Sequence, residues 1–270
     1  MKQEKENVMK DFLKIDTCSG IAGFASPISP VQENVAASQG EISSVNAQEI
    51  DLFASAVKLP SASSGARTIL KSSAVRSSGQ FVFGTNPGRL IQLDSYLEYN
   101  TALILSVQPD LADLRDQVCF SWFDKAGKSH NHFFDFVTTS TTGEKTAVMV
   151  KEASRLKSER LQREIKMISA QAVPDFVHRV IVVTQRDIDP IVLHDAKLLH
   201  EVRHTDTDAD QAAKAVTSSL IGAASMADLT AAINMGSRGF RALVRLIRSR
   251  CLELLHHETL SYETTVRGGV

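Results

Sequence analysis

Two side chains stand out because their neighbours give no reason for a charge. Asp135 is the single acid in a run of aromatic and aliphatic residues from His132 to Val137, and Lys151 ends the apolar run from Ala147 to Val150. Ionising Asp135 in a dry interior is costly unless a metal or a donor meets it. Strand alternation puts Met149 and Lys151 on one face and Val148 and Val150 on the other, so Lys151 can meet Asp135 at a strand end. Glu98, in the first turns of an expected helix, is the third candidate. Carboxylates that hold a divalent cation, with a lysine beside them, are the equipment for hydrolysing a phosphodiester. Each residue also has a plainer reading. An aspartate in a strand can be a turn or edge device, a lysine at a strand end can mark an exit to solvent, and helix glutamates are mostly solvated.

Other groupings are less specific. His130 and His132 form a HisxHis pair on the Asp135 strand, but without cysteine partners they read as surface histidines. His256 and His257 fall in an expected terminal hairpin and suit exposure or phosphate contact. Arg238, Arg241, Arg245 and Arg248 recur at helical spacing, and after a turn at Asn234 to Ser237 they form a candidate outer face for DNA phosphates and base edges. Arg155, Lys157, Arg160, Arg163 and Lys166 offer a second positive surface close behind Lys151.

The elements that would position these residues read in sequence as follows. Residues 1–66, rich in Ser, Ala, Gln and Glu, read as a flexible or loosely docked arm. Short apolar pieces between Thr68 and Leu90, separated by turn signals, lead into a core. A helix over Asp94 to Val107, capped by Asp94 or Ser95, precedes strands over Val118 to Phe123, His132 to Val137 and Thr146 to Lys151, joined by short turns as a meander. A helix over Ser154 to Ala170 then crosses to a β-branched strand over Arg179 to Thr184, which can lie parallel to its predecessor. The expectation is a mixed sheet flanked by helices over 67–186. Residues 187–270 turn helical: one amphipathic helix through Ala209 to Leu220, a short one capped by Ser225 with Asp228, and a third from about Arg238. A strand, turn and strand then close the shape of a winged helix-turn-helix.

Composition narrows the class of function. With 43% hydrophobic and 23% charged residues the chain is an ordinary globular protein, and no apolar run approaches the roughly 20 residues of a membrane span. Cys18, Cys119 and Cys251 are widely separated, and the opening MetLysGlnGluLysGluAsn lacks the apolar stretch of a secretory signal, so a reducing cytoplasm without disulfides or structural zinc is expected. A net charge of −1 excludes a histone-like mode and leaves any DNA contact to local basic patches.

The stretch from Gly88 to Gln117 resembles the N-terminal region of the TnsA family, the restriction-enzyme-like endonuclease subunits of heteromeric transposases. Ser95 and Glu98 match the family's SerxxGlu helix, Pro109, Asp110 and Gln117 the following segment, Phe134, Asp135 and Phe136 its PheAspPhe strand, and Lys151 the lysine that ends ValGluValLys or ValGlnValLys. The similarity covers roughly Arg67 to Thr184. It implies a restriction-endonuclease-like core followed by a winged helix, in a bacterial cytoplasm. It further implies a metal-dependent endonuclease that nicks one strand at transposon ends, beside a DDE-type transposase subunit and an ATPase regulator. Glu98, Asp135 and the Val150 carbonyl would then hold Mg²⁺ or Mn²⁺, Lys151 would position or activate water, and the arginine helix would bind DNA. One position departs: Met149 stands where the family has Glu or Gln, and a thioether is a poor partner for these cations. Either the Val150 carbonyl suffices, or an acid such as Glu152, Glu159 or Glu164 substitutes, or the chain is a catalytically impaired DNA-binding and assembly subunit.

Overall fold

The computed structural model describes residues 58–67 and 78–269. The description of the expected arm is confined to its end, from Lys58 onward, and the apolar ThrIleLeu piece at 68–70 lies outside the described residues. The described chain is mixed α/β. A short hairpin pairs β1 (Gly79–Phe83) with β2 (Arg89–Leu93). Gly88, at φ +83, closes it, and a Cβ there would stand 2.7 Å from the Val82 side chain, so only glycine fits the turn.

Helix α1 (Tyr96–Ser106) begins at Ser95, whose hydroxyl accepts from the Glu98 N–H. It leads to β3 (Leu111–Phe123), β4 (Ser129–Ser140) and β5 (Lys145–Val150), an antiparallel meander. A single 3₁₀ turn at Arg155–Lys157 precedes α2 (Glu159–Ala172), and β6 (Arg179–Val183) returns parallel to β5. The sheet order is β3-β4-β5-β6. The strands run longer than their apolar runs because polar ends are paired across the meander, as at Ser121 opposite Asn131.

One face of this sheet packs under α2. Val118, Phe120, Trp122, Phe134, Val137, Ala147 and Met149 share that core with Ile168 and Ala172. Phe134 and Val137 are three residues apart, so simple alternation cannot put both there, and the pleat of β4 changes phase between them. Strand β3 does the same between Arg115, opposite Val137, and Val118, opposite Phe134. There Gln117 adopts φ +46. Gln117 and Asp135 stand at this matched break.

The chain joins the core before Arg67. Ser61 bridges to β2, and the Ala66 N–H donates to the Gln117 carbonyl at 3.0 Å. Beyond β6 come α3 (Pro190–Glu201), α4 (Thr207–Thr217), β7 (Ala223–Ser225), α5 (Met226–Ile233), α6 (Ser237–Arg248), β8 (Leu252–Leu254) and β9 (Thr265–Gly268). Strand β9 lies between β7 and β8. A second core, including Ala209, Ala213, Met226, Leu229, Leu243, Val244 and Val266, holds these elements together. By contacts, Leu59–Val270 forms one compact unit. Helix α3 packs against α1 as well as α6. Among the described residues no helix is long and apolar enough to cross a membrane.

Candidate active site

The site arises where β4 and β5 part. Their pairing ends at Phe136 opposite Val148, while β5 stays paired with β6 through Val150. The Lys151 N–H donates to the Val183 carbonyl at 2.9 Å, so its neighbour Val150 turns both backbone groups toward the gap left by β4. Asp135 Oδ2 accepts the Val150 N–H at 2.7 Å, and Lys151 Nζ donates to the Val150 carbonyl at 2.9 Å and to Asp135 Oδ2 at 3.2 Å. Buried backbone groups are costly without partners, and the side chains supply what the absent strand would have given. Asp135 Oδ1 accepts no hydrogen bond among the described residues.

Glu98 enters from α1. Its carboxylate accepts from the Asp94 N–H at 2.8 Å and from the Ser95 hydroxyl at 3.0 Å, a variant of the capping box in which the third helical residue reaches back over the helix start. It is 6% exposed. Burial, then the neighbouring Asp135 charge, push its carboxyl up to about 7, against the pull of the Ser95 hydrogen bond and of Lys151 and Arg67. Glu98 is therefore near its midpoint at neutral pH. Arg67, which sequence reasoning took only as a domain boundary, forms an ion pair with Asp94 at this helix start.

Glu98, Asp135 and Lys151, far apart in sequence, thus meet at one place. Met149 does not join them: it is fully buried under α2 with Trp122, Phe134 and Ile168. Of the acids considered as replacements, Glu152 and Glu159 are exposed, and Glu164 lines a cavity with Arg155 and Arg160. The oxygens at hand are the two carboxylates and the Val150 carbonyl. That donor set fits Mg²⁺, which takes one or two carboxylates and keeps several waters. The paired acids fit too, since a cation would offset both the burial and the Asp135 charge that raise Glu98. Among the described residues no group of three or more His, Cys, Asp or Glu side chains is placed to hold a metal.

The histidines separate. His130 Nε2 lies 2.8 Å from Asp124 Oδ2. His132, expected at the surface, is largely enclosed, edge-on to Phe134, with Nε2 buried and unpartnered. Burial and the Lys151 charge lower it to about 4, although Asp135 opposes them. Its sequence parity with Phe134 was the signal that it faces inward. His257 contacts Asp189 at 2.9 Å. Cys119 and Cys251 are free thiols, and Cys18 lies outside the described residues.

The arginine stripe of α6 is not the free outer face that its spacing suggests. Arg238 grips Asp206 with two bonds of 2.8 and 2.7 Å, and Arg245 binds Asp210 at 2.6 Å. Arg241 and Arg248 donate to the carbonyls of Glu201 and Leu199. The Arg238 hydrogen bonds hold Asp206 down at about 2. Helices α3 and α4 cover this side because their termini present the acids and carbonyls that the guanidinium groups need. No family model matches the sequence, and no curated protein matches it.

Proposed function

We propose that the chain is a metal-dependent DNA endonuclease of the TnsA type, nicking one strand at transposon ends. The observation that carries this reading is the meeting of Glu98, Asp135 and Lys151 at the end of β5. The surrounding topology supports it. A meander with a parallel fourth strand, α1 and α2 beside it, suits a restriction-endonuclease-like core. The order α4-β7-α5-α6-β8-β9, with β9 between its partners, suits a winged helix.

Mg²⁺ or Mn²⁺ held by Glu98, Asp135 and the Val150 carbonyl would supply Lewis-acid stabilisation of the charge that develops on the scissile phosphate. Asp135 would hold the cation through Oδ1, its Oδ2 being fixed by the Val150 N–H and Lys151. Lys151 Nζ, held by two acceptors, presents its remaining N–H to an attacking water or a phosphate oxygen. A cation held there would favour the carboxylate form of Glu98. By the resemblance, a DDE-type transposase subunit would cut the other strand and an ATPase regulator would dock on the C-terminal part.

A second reading, a non-catalytic DNA-binding and assembly subunit, draws on one observation: both Glu98 bonds already serve the start of its own helix. Nicking of transposon-end DNA by the full chain with Mg²⁺ or Mn²⁺, alone and with the transposase subunit, separates the two. Cleavage that disappears in Asp135→Ala supports the nuclease. DNA binding without cleavage under every condition supports the assembly subunit.

A further inference from the structure

The chain carries two arginine-rich surfaces, and they are engaged differently. On α6, each of the four arginines already donates to an acid or a carbonyl of the same chain. A DNA phosphate arriving at Arg238 or Arg245 competes with an aspartate already held there, while Arg241 and Arg248 each hold a carbonyl. On the segment behind Lys151, the cations Arg155, Lys157, Arg160, Arg163 and Lys166 are all exposed. Among the described residues only Arg163 has a carboxylate partner there, Glu159 at 3.3 Å across one helical turn. Arg155 and Arg160 line a cavity of about 350 Å³ with Ser158, Leu161 and Glu164. Glu164 shares that cavity but forms an ion pair with neither arginine.

Unpaired surface cations hold diffuse counterions, and releasing the condensed ions of DNA drives a duplex onto such a surface. Position agrees. Lys151 and Arg155 are four Cα steps apart along the chain, so their Cα atoms lie at most about 14 Å apart. That is about four nucleotide steps at roughly 3.4 Å of rise each, near enough to hold phosphates flanking the one to be cleaved. Resting on the reading of DNA as substrate, we infer that the phosphate backbone is gripped by the Arg155 to Lys166 face, with Arg155 and Arg160 at its centre. The α6 arginines then serve as a brace to α3 and α4.

The test uses the full chain and a labelled duplex of mixed sequence, followed by fluorescence anisotropy in EDTA over a series of NaCl concentrations. R155A/R160A is expected to weaken binding about tenfold and to reduce the salt slope by about two, one for each lost phosphate contact. R155K/R160K is expected to keep most of both, and the melting temperature of each variant should match the parent, since the two arginines are exposed. Unchanged affinity and slope in R155A/R160A, a larger loss in Arg241→Ala, or no binding by the parent chain would each overturn the assignment. Because EDTA removes any metal, the outcome is independent of catalysis. Weakened binding in a chain that never nicks DNA upholds the surface and discards the nuclease, whereas full binding in a chain that does nick discards the surface alone.

Discussion

Replacing Glu98 with Gln tests whether burial and Asp135 hold this carboxyl in its neutral form. In the folded chain it titrates at about 7, against an ordinary value of 4.5. Between those values the native state binds a proton that the unfolded chain has lost, so stability falls as pH rises through that window. At about 1.4 kcal/mol per pH unit, the loss attributable to Glu98 is about 3 kcal/mol by pH 8. The substituted amide keeps an oxygen for the Asp94 N–H but has no proton to lose. In urea unfolding from pH 5 to pH 9, the substitution is expected to cost little at pH 5 and to become stabilising by roughly 2 to 3 kcal/mol at pH 8. A stability difference between Glu98→Gln and the parent that stays constant across this range would refute the reasoning, since it would mean that Glu98 ionises normally.

Other substitutions probe the neighbouring contacts. Asp135→Ala strands the Val150 N–H and is expected to cost about 2 kcal/mol in urea unfolding as well as nicking; Asp135→Asn, which keeps an acceptor, should lose nicking with a smaller stability cost, and equal costs would sink this account. Met149→Glu places a carboxylate in the core under α2 and is expected to lower stability by at least about 3 kcal/mol, increasingly so as pH rises. A gain in nicking at unchanged stability would show that the position faces the site after all. Arg245→Ala removes the partner of Asp210 from a site where the arginine side chain is only 12% exposed, and about 3 kcal/mol should be lost. Arg241→Ala, on an exposed residue, should cost less than about 0.5 kcal/mol. Thermal or urea unfolding showing the same cost for both would contradict the bracing role of the stripe.

The sequence exposed some of these features more plainly than others. Element order and the cap at Ser95 were legible because they follow from local chemistry: apolar spacing, turn residues, and a hydroxyl three residues before an N–H. Helix α3 appeared only as a general turn to helical pattern, and β1, β2 and β7 were not read as strands. Strand β7 is three residues long, and its partner β9 lies some forty residues downstream. The arginine stripe misled for a related reason. Helical spacing shows that four arginines share a face but not what covers it, and the acids that do, Asp206 and Asp210, lie on another helix and its cap. His132 misled for the opposite reason: a polar residue type outweighed the alternation that turns it inward beside Phe134.

Asp135 and Lys151 raise a more general point, because the features that made them conspicuous also give them a structural duty. Where β5 leaves β4, Val150 keeps a buried N–H and a carbonyl that no strand can satisfy, and one acid and one amine do so instead. A sheet that splits must place polar side chains at the split. Those side chains are then fixed in position by the backbone groups they satisfy. A structural duty and a chemical one are therefore not rival explanations of Asp135. The fixed Oδ2 and the uncommitted Oδ1 are the two halves of one arrangement, and positioning by the first is what makes the second useful. Met149 fits the same logic. Its strand neighbours commit it to the core, so in the proposed site an oxygen donor from this end of β5 would come from the backbone, and the split makes the Val150 carbonyl the one that meets Lys151.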